Sequence, residues 1–157
     1  MNNKAVMPPG MENYGIIFEK AVGTIGLYMD GDIKVDDIGL AKEFPSEPGA
    51  TQIIEGSNTI VCSLNEVDGG LLGAVSRFAG EDFGEITEAD ALDAAGEMLN
   101  FISGAYASEM SRKGDQCELL PPSFDSIPKK YEADPICRLN LTSGKRKLCF
   151  SIGVLNR

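Results

Sequence analysis

The 157-residue chain contains no histidine and no tryptophan. Without histidine there is no Ser-His or Cys-His nucleophile pair and none of the usual histidine-bearing zinc sites. Any chemistry has to run on carboxylates, amides, hydroxyls or groups brought by a partner. Cysteine is scarce too: the four, at 62, 117, 137 and 149, form no C-x-x-C pair and are scattered too evenly for a disulfide framework. They are expected as reduced, mostly buried thiols. Positive charge is in short supply, with 14 basic residues against 24 acidic ones and a formal charge of −10. That balance argues against the phosphate-neutralising surface of a nucleic-acid binder. No run approaches the ~20 uninterrupted apolar residues of a membrane span, and the opening MNNKAVMPPGMENYG lacks the apolar centre of a secretion signal. Neither nucleic acid nor membrane is expected as a partner, and the cytoplasm is the expected location.

What is present suits one compact domain: apolar residues make up 43% of the chain, and the length is close to the commonest domain size. Residues 1–11, polar and carrying Pro8-Pro9-Gly10, are expected as a flexible tail, and 12–157 as a single domain. In ENYGIIFEKAVGTIGLYM the apolar positions Tyr14, Ile17, Phe18, Ala21, Ile25, Tyr28 and Met29 recur at helical spacing. IKVDDIGL offers a short strand, EFPSEPG a loop, and TQIIEGSNTIVCSL a hairpin around Gly56-Ser57-Asn58. GGLLGAVSRFAG has the spacing of a short helix ending near Gly80. The stretches DQCELLPPSF, ICRLNLTSG and KLCFSIGV read as strands, with Gly144 near the tip of a final hairpin. The class predicted is α+β, an antiparallel β-sheet with helices packed on one face.

The most informative stretch is DALDAAGEMLNFISGAYASEM, residues 90–110. Thr87-Glu88-Ala89-Asp90 has the form of a capping box, with Arg112-Lys113 at the other end and Gly114 as the stop. On a helix turning about 100° per residue, Leu92, Ala95, Met98, Leu99, Ile102 and Tyr106 gather on one side as a core stripe. Asp93, Glu97, Asn100 and Gly104 share the opposite side. An acidic residue on such a helix is more often a solvated charge than part of a site. Asparagine is less expected, because its side chain competes for backbone hydrogen bonds. Gly96 and Gly104 each cost roughly 1 kcal/mol of helix stability relative to alanine, which points to close packing, by the protein's own sheet or by another molecule.

The run Asp93-x3-Glu97-x2-Asn100, followed by a proline some two dozen residues on, resembles the signature of the CheC/CheX/FliY chemotaxis phosphatases. GEMLNFISGAYASEM is similar to their helix in detail. The family's proline falls at the position of Ser123 here, and a one-residue deletion makes Pro122 its counterpart. The likeness continues from NTIVCSL through the short helix and LPPSF to SIGV, while residues 1–50 match loosely. The first half has no Asn three residues after Glu12 or Glu19, so one E-x-x-N helix per chain implies a CheX-like member.

Such proteins remove phosphate from the aspartyl-phosphate of a phosphorylated CheY-type response regulator. The resemblance therefore implies Glu97 and Asn100 as catalytic residues, the amide orienting a water and the carboxylate pairing with the regulator's lysine. Asp93, Gly104 and Pro122 are implied in partner binding. No cofactor is expected in this chain, since the regulator supplies the Mg²⁺. The alternative on the same fold is a non-catalytic module or scaffold that docks a receiver domain or a flagellar component. CheX-like relatives are homodimers with joined sheets, and LCFSIGVL would leave an apolar edge if it ended a sheet. A symmetric homodimer is thus expected, joined near Leu148 to Val154 or at the first hairpin, with the Glu97/Asn100 helices left open.

Overall fold

The computed structural model describes residues 14–29, 33–79, 87–125 and 131–155. The tail expected over 1–11 and the end of the second helix at Gly80 lie outside them. The elements in chain order are α1 (Gly15–Tyr28), β1 (Lys34–Ala41), β2 (Gly49–Glu55), β3 (Ile60–Asp68), α2 (Gly70–Ala79), α3 (Glu88–Arg112), β4 (Glu118–Leu119), β5 (Ser123–Asp125), β6 (Ala133–Ser143) and β7 (Arg146–Leu155). The strands form one antiparallel sheet ordered β1-β6-β7-β3-β2-β4, with β5 also pairing β2. The architecture is the α+β one expected from the pattern of elements.

Alternation along the strands divides the sheet into two faces. Ala50 and Ile54 of β2, Cys62 and Leu64 of β3, Cys137, Leu139 and Leu141 of β6, and Leu148, Phe150 and Ile152 of β7 form one core with the helices. Onto them pack Ile17, Phe18, Ala21 and Ile25 of α1, Leu71 and Ala74 of α2, and Ala95, Met98, Leu99 and Ile102 of α3. The rings of Phe18 and Phe150 meet edge to face, with centroids 5.8 Å apart. The core stripes expected for α1 and α3 are buried as expected.

The other face carries Thr51, Ser63, Asn65, Ser151 and Gly153, also buried but polar or small. The connection from β1 to β2 crosses it, because β1 sits at one edge of the sheet and β2 toward the other. Asn65 Nδ2 donates to Glu47 O at 2.9 Å, Glu66 N to Pro48 O at 2.8 Å, and the Arg138 guanidinium donates to Glu43 O. A Cβ on Gly153 would lie 2.9 Å from the Phe44 ring and 2.8 Å from Ala133 Cβ. The crossing segment covers this face in place of a second layer of helices, and its backbone carbonyls accept from Asn65 Nδ2, Glu66 N and Arg138, donors an apolar layer would leave unpaired.

One expectation is corrected. The apolar run LCFSIGVL does not end the sheet: β7 lies between β6 and β3. Its alternate residues are buried on both faces, and so its apolar character reflects an internal strand. The first hairpin is not an edge either, since β3 pairs β7 and β2 pairs β4 and β5. The edges are β1 and the short β4 and β5.

All four cysteines are free, with Cys62, Cys137 and Cys149 buried. Burial pushes Cys137 up to about 11 and raises the others too, so these thiols stay protonated and unreactive. None of the described helices is long and apolar enough to cross a membrane.

The 25-residue α3 starts on the capping box seen in the sequence. Thr87 Oγ1 accepts from Asp90 N at 3.1 Å, and Asp90 Oδ2 accepts from Thr87 N at 3.0 Å. These bonds hold the Asp90 carboxyl below the usual carboxylate range, so the cap is complete above about pH 4 and weakens as the carboxyl protonates in stronger acid. The helix ends on Lys113, followed by Gly114 at φ 90°. Thr87→Ala is expected to lower stability by about 1 kcal/mol, read as a fall in the urea midpoint at an unchanged slope.

Candidate functional site on helix α3

The buried stripe of α3 leaves one rotational setting for the helix on its sheet. In that setting Asp93, Glu97 and Asn100 are exposed and Gly104 is half-buried. The row expected from spacing therefore forms on the surface. Glu97 and Asn100 each lie against a different neighbouring element, and neither contact is visible in local sequence.

Glu97 lies toward α1. The Tyr28 phenol at the end of that helix is nearly buried and lies close enough to the Glu97 carboxylate to feel its charge. Burial first, and then the neighbouring Glu97 carboxylate, raise the phenol above its ordinary pKa, so it remains a donor throughout the physiological range.

Asn100 is tied toward β2. Gln52, 2% exposed, donates through Nε2 to Asn100 Oδ1 at 3.0 Å and to Leu120 O at 2.9 Å. Sequence reasoning missed Gln52. A signal existed: in ATQII the inward positions are Ala50, Gln52 and Ile54, so an amide interrupts an apolar face. Tyr28 belongs to the core stripe of α1, and periodicity says nothing about where its hydroxyl lies.

The two glycines differ. A Cβ on Gly96 would lie 1.9 Å from Phe124 Cε1, so this glycine admits the ring from β5. A Cβ on Gly104 would meet nothing within 4 Å. The protein's own packing explains Gly96 and leaves Gly104 facing open space. Phe101 and Phe124 are 58% and 46% exposed beside the row.

Pro122 lies half-buried where the edge strand is interrupted. β4 pairs with Ile54 and Glu55, and β5 with Gly49 to Thr51, leaving Leu120, Pro121 and Pro122 between them. Proline has no N–H to donate to a ladder. Leu120 N still donates to Ile53 O at 3.0 Å, and Leu120 O receives the Gln52 side chain. Among the described residues, no group of three or more Cys, Asp or Glu side chains is placed to hold a metal ion.

An antiparallel sheet with helices packed on one face is the fold that this chain shares with CheC- and CheX-like chemotaxis proteins. The model of the family described as chemotaxis phosphatase CheX matches residues 49–133, more than half of the chain and including all of α3, and this chain belongs to that family.

Solved structures agree on the fold. A chemotactic CheC-like protein of Shewanella oneidensis MR-1 matches with a TM-score of 0.77 at 14% identity, over 92% of this chain and 98% of that one. CheX of Desulfovibrio desulfuricans matches with a TM-score of 0.72 at 14% identity, over 91% and 99%. The CheX–CheY–BeF3–Mg complex of Borrelia burgdorferi matches with a TM-score of 0.73 at 14% identity, over 93% and 99%. Comparison with curated protein sequences returns no match.

The contrast between the glycines is measurable. Gly104→Ala is expected to stabilise the protein by about 1 kcal/mol in urea unfolding, since a methyl in open space adds helix propensity without a clash. Gly96→Ala must displace the Phe124 ring; it should gain less or lose stability, and shift the ring's NMR signals.

Proposed function

We propose that this protein hydrolyses the aspartyl-phosphate of a CheY-type response regulator by presenting Glu97 and Asn100 to the receiver's active site. The observation that carries the proposal is the surface pair itself: a carboxylate and an amide one turn apart on α3, the amide held by Gln52 and the carboxylate beside the Tyr28 phenol, within the stretch that matches the chemotaxis phosphatase family. The CheX–CheY–BeF3–Mg complex among the similar folds supports a receiver as partner.

In the reaction, water oxygen bonds to phosphorus as the bond to the aspartyl oxygen breaks. The electron pair leaves on that carboxylate, and the water's proton leaves with inorganic phosphate. An acyl phosphate already has a good leaving group, so catalysis consists mainly of positioning and charge arrangement. Asn100 orients the water through its amide, as an amide does in nucleotide hydrolysis. Glu97 pairs with the receiver's lysine and sets the depth of docking. Phe101 and Phe124 supply apolar contact beside the polar pair. Asp93 extends the docking row by one turn, Gly104 admits the partner close to the backbone, and Pro122 shapes the entry to β5 and so the placement of Phe124. The Mg²⁺ in such a complex belongs to the receiver. On this reading the protein works in the cytoplasm.

A second reading keeps the docking and drops the hydrolysis. The exposed Phe101 and Phe124 favour it, because apolar contacts hold a partner whether or not the amide acts on water.

Asn100→Ala is expected to cut phosphate release from a phosphorylated CheY-type receiver by roughly 10²-fold or more, with the circular dichroism spectrum unchanged. Glu97→Lys is expected to weaken both turnover and receiver binding, and more than Glu97→Gln does, since it sets a cation against the partner's lysine. A wild-type protein that binds the receiver without accelerating release selects the docking module. An Asn100→Ala rate equal to wild type removes the mechanism.

A homodimer is the assembly we propose, with joining at the β1 edge. Among the described residues β1 pairs only with β6, whereas the β4/β5 edge lies beside Gln52, Phe124 and the site. Joining at β1 keeps both α3 rows open. Light scattering is expected to give twice the single-chain mass at micromolar concentration; the mass of one chain at every dilution rules the dimer out.

A further inference from the structure

We infer that Gln52 is a positioning residue: it fixes which way the Asn100 carboxamide faces, holding Oδ1 toward the sheet and turning Nδ2 toward the docking partner. The catalytic consequence rests on the phosphatase reading; the orientation itself does not.

Asparagine oxygen and nitrogen are similar in shape, so a free Asn100 could present either to a partner. The surrounding chemistry removes the choice. Leu120 O is a backbone carbonyl and can only accept. Gln52, 2.9 Å from it, must therefore turn its NH₂ that way. The second hydrogen of that NH₂ is directed to Asn100 at 3.0 Å, and Asn100 must answer with its oxygen. The orientation of the surface amide is thus dictated by a backbone carbonyl two bonds of the network away. Leu120 is itself anchored, since its N–H donates to Ile53 O at 3.0 Å while Pro121 and Pro122 end the β4 ladder just beyond it.

The placement of Gln52 argues for a purpose beyond packing. It occupies an inward position of β2 between Ala50 and Ile54, both in the apolar core, where a methionine would fill similar space without desolvating an amide. Its Oε1 is buried and makes no hydrogen bond among the described residues. Only the donor half of the side chain is used, and both of its hydrogens go to the line that ends at Asn100. With Oδ1 held, Asn100 offers two outward N–H donors and one remaining oxygen lone pair. That arrangement suits a phosphoryl oxygen and a water; the flipped amide would set an acceptor against phosphoryl oxygens.

The test uses the full chain as wild type, Gln52→Met, Asn100→Ala and the double variant. Phosphate release is measured at saturating phosphorylated CheY-type receiver, binding is measured with a beryllofluoride-loaded receiver, and the order of the Asn100 side-chain amide is measured by ¹⁵N relaxation, with loop Asn58 as the exposed control. Gln52→Met is expected to lower the saturating rate about tenfold, to change binding less than twofold, and to add nothing in the Asn100→Ala background. The Asn100 amide is expected to be as ordered as the α3 backbone in wild type and mobile in Gln52→Met. A wild-type Asn100 amide as mobile as Asn58 overturns the inference even if Gln52→Met fails to fold. So does an Asn100 amide equally ordered in Gln52→Met, or a Gln52→Met loss that persists in full when Asn100 is already alanine. If wild type releases no phosphate, the phosphatase reading fails alone, and the relaxation data decide the orientation of Asn100 by themselves.

Discussion

The site depends on the burial of one side of α3. Ala95, Met98, Leu99 and Ile102 are completely enclosed between the sheet and α1, and a stripe of that kind can face the core in only one rotational setting. Turning the helix by a single residue, about 100°, would carry Glu97 and Asn100 from the surface toward the core and expose apolar side chains in their place. The precision of a surface pair is therefore inherited from the interior. Nothing on the outer face needs to hold the helix, which leaves that face free for a partner.

Rotation alone does not fix side chains, and on an exposed face a glutamate and an asparagine would sample several rotamers. Here each has a buried group from another element against it: Gln52 hydrogen-bonds to Asn100, and the Tyr28 phenol lies beside the Glu97 carboxylate. Both groups sit at the boundary where the core meets the surface, with one end packed and the polar end directed to the row. A chain without histidine can support positioning chemistry in this way. The requirement is well-placed donors and acceptors, with no group that has to titrate near neutral pH.

The two faces of the sheet have different tasks. The helix-covered face supplies the apolar core, and the opposite face is closed by a crossing loop that satisfies polar groups through its backbone carbonyls. The interruption between β4 and β5 links the sheet to the site. A continuous edge strand would occupy Leu120 O in the ladder, whereas the two prolines leave that carbonyl to the Gln52 side chain.

Local physics was legible in the sequence. The capping box at Thr87, the stop at Gly114, the core stripe of α3 and the outward row all depend on residues within about one turn of each other, and periodicity reports such relations directly. The antiparallel α+β class followed from the order of elements, and the outward row of Asp93, Glu97 and Asn100 followed from helical spacing, whereas the choice of Glu97 and Asn100 as a pair came from the family resemblance. Tertiary structure alone decided the rest. Gln52 and Asn100 are 48 positions apart, Tyr28 and Glu97 belong to different helices, and Gly96 and Gly104 look alike until the Phe124 ring is seen to occupy the space beside one and not the other. The apolar run of β7 suggested an edge and proved to be the interior of the sheet. A strand buried on both faces and an edge that needs covering have the same composition, and only hydrogen bonding between distant segments distinguishes them.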